Sequence, residues 1–172
     1  MFLQGKRVAV LAEDRYQVLE LWYPVLRLRE VGAAVVVVGR KAGITHTSGK
    51  GYEVTADLGA EEARAQDFHA LVIPGGYAPD LMRRNRHMVN LVRDFYSQGK
   101  LVAAICHAGW MLASAGVLKG KRATGFYSIR DDMVNAGAIY EDTEVVRDGN
   151  LITSRGPDDL PAFCRELISA LA

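Results

Sequence analysis

Residues 101–112 read LVAAICHAGWML, an apolar run that ends in an adjacent cysteine and histidine and then passes into small residues. A continuous apolar run of this length, with no polar alternation, fits a strand buried on both faces. Small residues stand two before and two after Cys106, at Ala104 and Ala108, with Gly109 beyond. That is the spacing of a nucleophile elbow, a sharp strand-to-helix turn whose neighbours crowd each other unless they are small. The turn would set the Cys106 sulfur near a helix N-terminus, whose partial positive charge lowers a thiol's pKa. The alternative is a small apolar residue filling a tight turn, since free cysteine is often buried.

Similar runs recur at VAVLA (8–12), AVVVVG (34–39) and ALVIPGG (70–76). Between the first two lies YQVLELWYPVLRLREVG, a broad apolar helical face that Gly32 can end, with a bend or restart expected at Pro24. HMVNLVRDFYSQGK supplies another amphipathic helix, closed at Gly99. Strand alternating with helix predicts a doubly wound α/β fold, a mostly parallel sheet with helices on both faces. GITHTSGKGYEVTADL (43–58) breaks the rhythm and suggests a small antiparallel insertion. After Gly125 the pattern predicts a helix over SIRDDMVNAG, two short strands turning at Asp148-Gly149-Asn150, and a terminal helix in DDLPAFCRELISALA. No repeat, linker or low-complexity tract divides the chain, so residues 1–172 read as a single domain.

The 172 residues can bury a full core, and 49% of them are apolar. A net charge of +1 with no Lys/Arg cluster argues against nucleic acid as a partner. Two cysteines, Cys106 and Cys164, cannot build a disulfide framework, and Cys164 sits within a helical pattern. His46, His69, His87 and His107 are scattered without metal-ligand spacing, so neither a metal nor a cofactor is expected. The N-terminal apolar run is too short for a signal peptide or a membrane span. These features fit a soluble protein of the reducing cytoplasm.

Ligands of such sheets bind beyond the carboxyl ends of the strands, where Pro74-Gly75-Gly76 and Cys106-His107 both fall. The chain resembles the PfpI family, within the class I glutamine amidotransferase-like superfamily of flavodoxin-like folds. The resemblance rests on ELWYP (20–24), ALVIPGGYAPD (70–80), AAICH (103–107), SAGVLKGK (114–121), SIRDDMVNAGA (128–138) and VVRDGNLITSRGPDDLPAF (145–163). It implies that Glu20 approaches the sulfur of Cys106. A protonated Glu20 would donate a hydrogen bond to a thiolate or an oxidised sulfur, whereas an ionised one would raise the thiol's pKa. The resemblance also implies that His107 acts as general base or stabilising imidazolium, and that the backbone N–H groups of Gly76 and His107 form an oxyanion hole. It implies further that Asp80, where the family pattern has Glu, orients His107 from a neighbouring subunit of a homodimer or larger oligomer. Gly75, Trp110 and Gln17 are the expected substrate-pocket residues.

Three departures stand out. Arg15 and Gln17 replace acidic residues, Ala108-Gly109-Trp110 replaces a small-Pro-Gln continuation, and Asp80 is one methylene short. The expected activity is stress-protective cysteine-dependent hydrolysis of small carbonyl or acyl adducts, deglycase- or glyoxalase-like, or of peptides. The alternative is an oxidative-stress protein whose Cys106 passes to sulfenic and sulfinic acid with little turnover. Amidotransfer would require a later histidine, and none follows His107.

Overall fold

The computed structural model describes residues 2–172. The chain opens with β1 (Arg7–Leu11), α1 (Val18–Glu30) and β2 (Ala34–Gly39), followed by β3 (Thr45–His46), β4 (Val54–Thr55) and β5 (Leu58–Gly59). The middle third holds β6 (Ala70–Ile73), α2 (Ala78–Met82), α3 (Arg86–Ser97), β7 (Leu101–Ile105) and α4 (Gly109–Ala115). The last third holds β8 (Arg122–Ala123), α5 (Arg130–Asn135), β9 (Ile139–Tyr140), β10 (Val145–Asp148), β11 (Leu151–Ser154) and α6 (Leu160–Leu171).

Seven strands form one sheet in the order β10-β11-β7-β6-β1-β2-β5, parallel throughout except for the β10–β11 hairpin. The anticipated runs occupy its middle, and every residue of β6 and β7 is buried. The expected insertion is the antiparallel pair β3–β4, fastened to α1 where the Trp22 indole donates to the Tyr52 carbonyl at 2.8 Å. The pairing of β8 with β9 was not foreshadowed by any alternation in the sequence.

A right-handed crossover fixes which face each helix covers. β1-α1-β2 steps along the sheet in one direction and β6-α3-β7 steps in the other, so α1 and α3 lie on opposite faces. α6 packs beside α1, and α4 beside α3. The reversal falls between β1 and β6, and the loops after β1, β6 and β7 therefore meet over a crevice at the carboxyl edge. The helix does not restart at Pro24: α1 runs unbroken through it, and the residue is buried. Gly99 closes α3 as expected: it adopts φ 71°, and its N–H and that of Lys100 turn back to the carbonyls of Tyr96 and Phe95.

Candidate active site

β7 delivers Cys106 to the crevice in a left-handed conformation, φ 61°, which is uncommon for a residue with a side chain. A single 3-10 turn (Cys106–Ala108) leads from the strand into α4. The expected small neighbours, Ala104 and Ala108, are buried beside it. The thiol is only 6% exposed.

Three groups converge on the sulfur. His107 places Nδ1 3.2 Å from Sγ. The backbone N–H groups of Gly76 and His107 lie near enough to the thiol to favour its ionised form. Glu20, on the first turn of α1, is wholly buried; its Oε2 accepts the Gly75 N–H at 2.8 Å. Oε1 is buried without a conventional hydrogen-bond partner, and the Cys106 thiol is the side chain that interacts with this carboxyl.

Gly75 is what permits that approach. A Cβ there would lie 2.5 Å from Glu20 Oε2, 2.7 Å from Cys106 Cβ and 2.9 Å from the Ile105 carbonyl. Gly76 has φ 79° and pairs with Tyr16, so the β1 and β6 loops are stitched together beside the thiol.

The electrostatics correct one expectation. Burial first, and the Glu20 charge second, push the Cys106 thiol up to about 12; the N–H groups of Gly76 and His107 pull it down but do not prevail. Burial therefore favours the neutral thiol. Burial also raises the Glu20 carboxyl to about 7, against the lowering effect of the Gly75 N–H and the thiol. The two groups compete for one negative charge, and protonating Glu20 removes the repulsion on the sulfur. Burial lowers the His107 imidazole, favouring its neutral form.

The remaining expected residues take other positions. Gln17 caps α1, its side-chain oxygen accepting the Glu20 N–H at 2.9 Å, so it positions Glu20 instead of presenting that oxygen to a pocket. Trp110 sets its ring edge-on to His107 at 5.1 Å and donates its indole N–H to Asp132 at 2.9 Å. Asp80 pairs with Arg84 one helical turn away, not with the His107 of its own chain. The other imidazole nitrogen, Nε2, instead meets Ser128 Oγ at 3.2 Å, and Phe126 stacks on the ring at 4.8 Å. Sequence reading missed both residues, although Ser128 opens a quoted block and Phe126 stands two residues before it. A cleft of about 370 Å³ lies beside the site, lined by Phe126, Tyr140 and Arg155.

Residues 6–170 match the sequence profile of the DJ-1/PfpI family. Deglycase PfpI of Pyrococcus furiosus is 43% identical over 165 residues, covering 96% of this chain and 99% of that protein. General stress protein 18 of Bacillus subtilis is 40% identical over 169 residues, 97% of this chain and 98% of its own length. A crystal structure from Anabaena variabilis, a two-domain protein with DJ-1/ThiJ/PfpI-like and ferritin-like domains, superposes with a TM-score of 0.95 at 45% identity. The match covers 97% of this chain and 48% of the other, so this chain spans about half the length of that two-domain protein. Among the described residues no helix is long and apolar enough to cross a membrane.

Proposed function

This chain belongs to the DJ-1/PfpI family, and from that premise we propose a single-domain cysteine-dependent enzyme that acts on small carbonyl or acyl groups, deglycase- or peptidase-like. The observation that carries the reading is the contact between Cys106 Sγ and His107 Nδ1, 3.2 Å, at a left-handed elbow.

Because burial favours the neutral thiol, the proton leaves as the nucleophile attacks. Sγ bonds to the carbonyl carbon, the S–H proton passes to neutral His107 Nδ1, and the carbonyl π pair moves onto oxygen. The Gly76 and His107 N–H groups would hold that oxyanion. With an aldehyde, the proton returns to give a thiohemiacetal. With an acyl substrate, the tetrahedral intermediate collapses, the leaving group takes the proton from His107, and water hydrolyses the thioester. Ser128 fixes the imidazole ring through Nε2, and protonated Glu20 is a donor facing the sulfur.

Association into a homo-oligomer of at least two copies, with Asp80 crossing to the His107 of a second copy, remains part of the reading, as does a cytoplasmic location. A second reading draws on Glu20 Oε1: a buried carboxyl oxygen lacking a conventional partner beside a thiol would bond the oxygen of a sulfinate, favouring peroxide oxidation over turnover.

Cys106→Ser decides whether this site acts. We expect the fold to survive and activity on methylglyoxal adducts, free glyoxals or peptides to vanish. Activity surviving at the wild-type level would place the chemistry elsewhere.

A further inference from the structure

We propose that Glu13, Asp14 and His46 form a site for a divalent transition-metal ion of the zinc type, sharing no residue with the Cys106 site. Glu13 and Asp14 follow the carboxyl end of β1, and His46 comes from the β3–β4 insertion. Each offers a ligand atom, and the three atoms lie within 4.8 Å of one another.

His46 is the deciding residue. It is wholly buried, and neither ring nitrogen has a hydrogen-bond partner. Its Nδ1 is aimed at the carboxylates, 3.3 Å from Glu13 Oε1 and 3.5 Å from Asp14 Oδ1. Those separations make poor hydrogen bonds but good polyhedron edges. A tetrahedral ion with bonds of about 2.0–2.1 Å sets its ligands roughly 3.3 Å apart. The ring has room because residue 39 is glycine: a Cβ there would lie 2.6 Å from Nε2.

The carboxylates are also held in place. Glu13 Oε1 accepts the Asp14 N–H at 2.8 Å, and Asp14 Oδ1 accepts the Thr47 N–H at 3.1 Å. One imidazole and two carboxylates suit zinc and its neighbours, and three protein ligands leave a fourth position open. A cleft of about 600 Å³, lined by Glu13, Asp14 and Arg40, gives access.

Arg40 is the resident competitor. Its Nε lies 3.2 Å from Glu13 Oε1 and its Nη2 3.0 Å from Asp14 Oδ2, yet nearly half of the side chain is exposed. It can swing into solvent when an ion arrives. Metal binding then exchanges one cation for another at a carboxylate that burial obliges to be paired.

The test uses the full chain carrying Cys106→Ser, because a thiol beside an imidazole also takes zinc. Chelator-treated protein is titrated with Zn(II) alone and with Co(II) alone. We expect one equivalent per chain, a raised Tm, and a visible Co(II) spectrum of tetrahedral type without thiolate charge transfer. Asp14→Asn should weaken binding at least ~10-fold, while Arg40→Gln strengthens it several-fold. Should Asp14→Asn fail to fold by circular dichroism, Glu13→Gln replaces it and Arg40→Gln stands on its own. No bound metal, or binding unchanged in these variants, would make the cluster an internal ion-pair network and overturn the proposal.

Discussion

Replacing Glu20 by glutamine keeps the side chain's shape and its acceptance of the Gly75 N–H while removing a titrating charge from beside Cys106. In the folded chain this carboxyl rises from 4.5 to about 7, chiefly because it is buried. A rise of that size corresponds to ~3 kcal/mol of stability linked to pH. Below pH 4.5 the carboxyl is protonated in both folded and unfolded chains, and burial carries no ionisation cost. Between 4.5 and about 7 the unfolded chain has released the proton that the folded one retains, so wild-type stability falls as pH rises. Above about 7 the full ~3 kcal/mol is lost. Glu20→Gln has no such slope, so its stability relative to wild type should climb by ~3 kcal/mol between pH 4.5 and pH 8. Urea unfolding at several pH values under reducing conditions reads this directly. The same variant removes the charge that repels a thiolate, so the pH midpoint of Cys106 alkylation should fall from its raised wild-type value. A stability difference between the two proteins that stays constant from pH 5 to pH 8 would refute the reasoning.

Ser128→Ala removes the partner of His107 Nε2 and should lower kcat by about tenfold, the rate equivalent of ~1.4 kcal/mol in one positioning hydrogen bond. Steady-state kinetics with Ser128→Thr as the rescuing control would check it. Because burial lowers His107 below 6.5, the acidic limb of the wild-type kcat/KM profile should lie below pH 6.5; a limb above that value would mean the base is not a neutral buried imidazole. Gly75→Ala forces a methyl group against Glu20, Cys106 and the Ile105 carbonyl, and should cost ~1–3 kcal/mol together with most of the activity, read by thermal unfolding and a turnover assay.

The fold was legible because its central strands are buried on both faces. Runs such as AVVVVG and LVAAIC carry that burial in their composition, and the small residues around Cys106 reported the elbow. Two-residue pairings carry no comparable signal, so β5 at the sheet edge and β8–β9 went unseen. Site geometry was legible where it is local, at Gly75, Gly76, Cys106 and His107. It failed where contact depends on the tertiary fold. Ser128 reaches His107 across 21 residues and His46 reaches Glu13 across 33, distances at which spacing rules say nothing. The burial that raises the thiol's pKa was not visible for the same reason: it belongs to the whole core.

The strain at Cys106 explains why so much structure converges there. A non-glycine residue at φ 61° costs ~1–3 kcal/mol, and the elbow persists because its surroundings leave little alternative. β7 is pinned between β6 and β11, the Phe126 N–H holds the Cys106 carbonyl at 3.2 Å, and Gly75 and Gly109 leave the space that side chains would fill. Beside this frame, Asp80 and Trp110 are peripheral, whereas Gln17 acts on it through Glu20. Gln17 is occupied in capping α1, Asp80 pairs with Arg84, and Trp110 touches the site only by its edge on His107. The turn that strains the thiol is therefore built without Asp80 or Trp110, whereas Gln17 bears on it by holding the first turn of α1, where Glu20 sits.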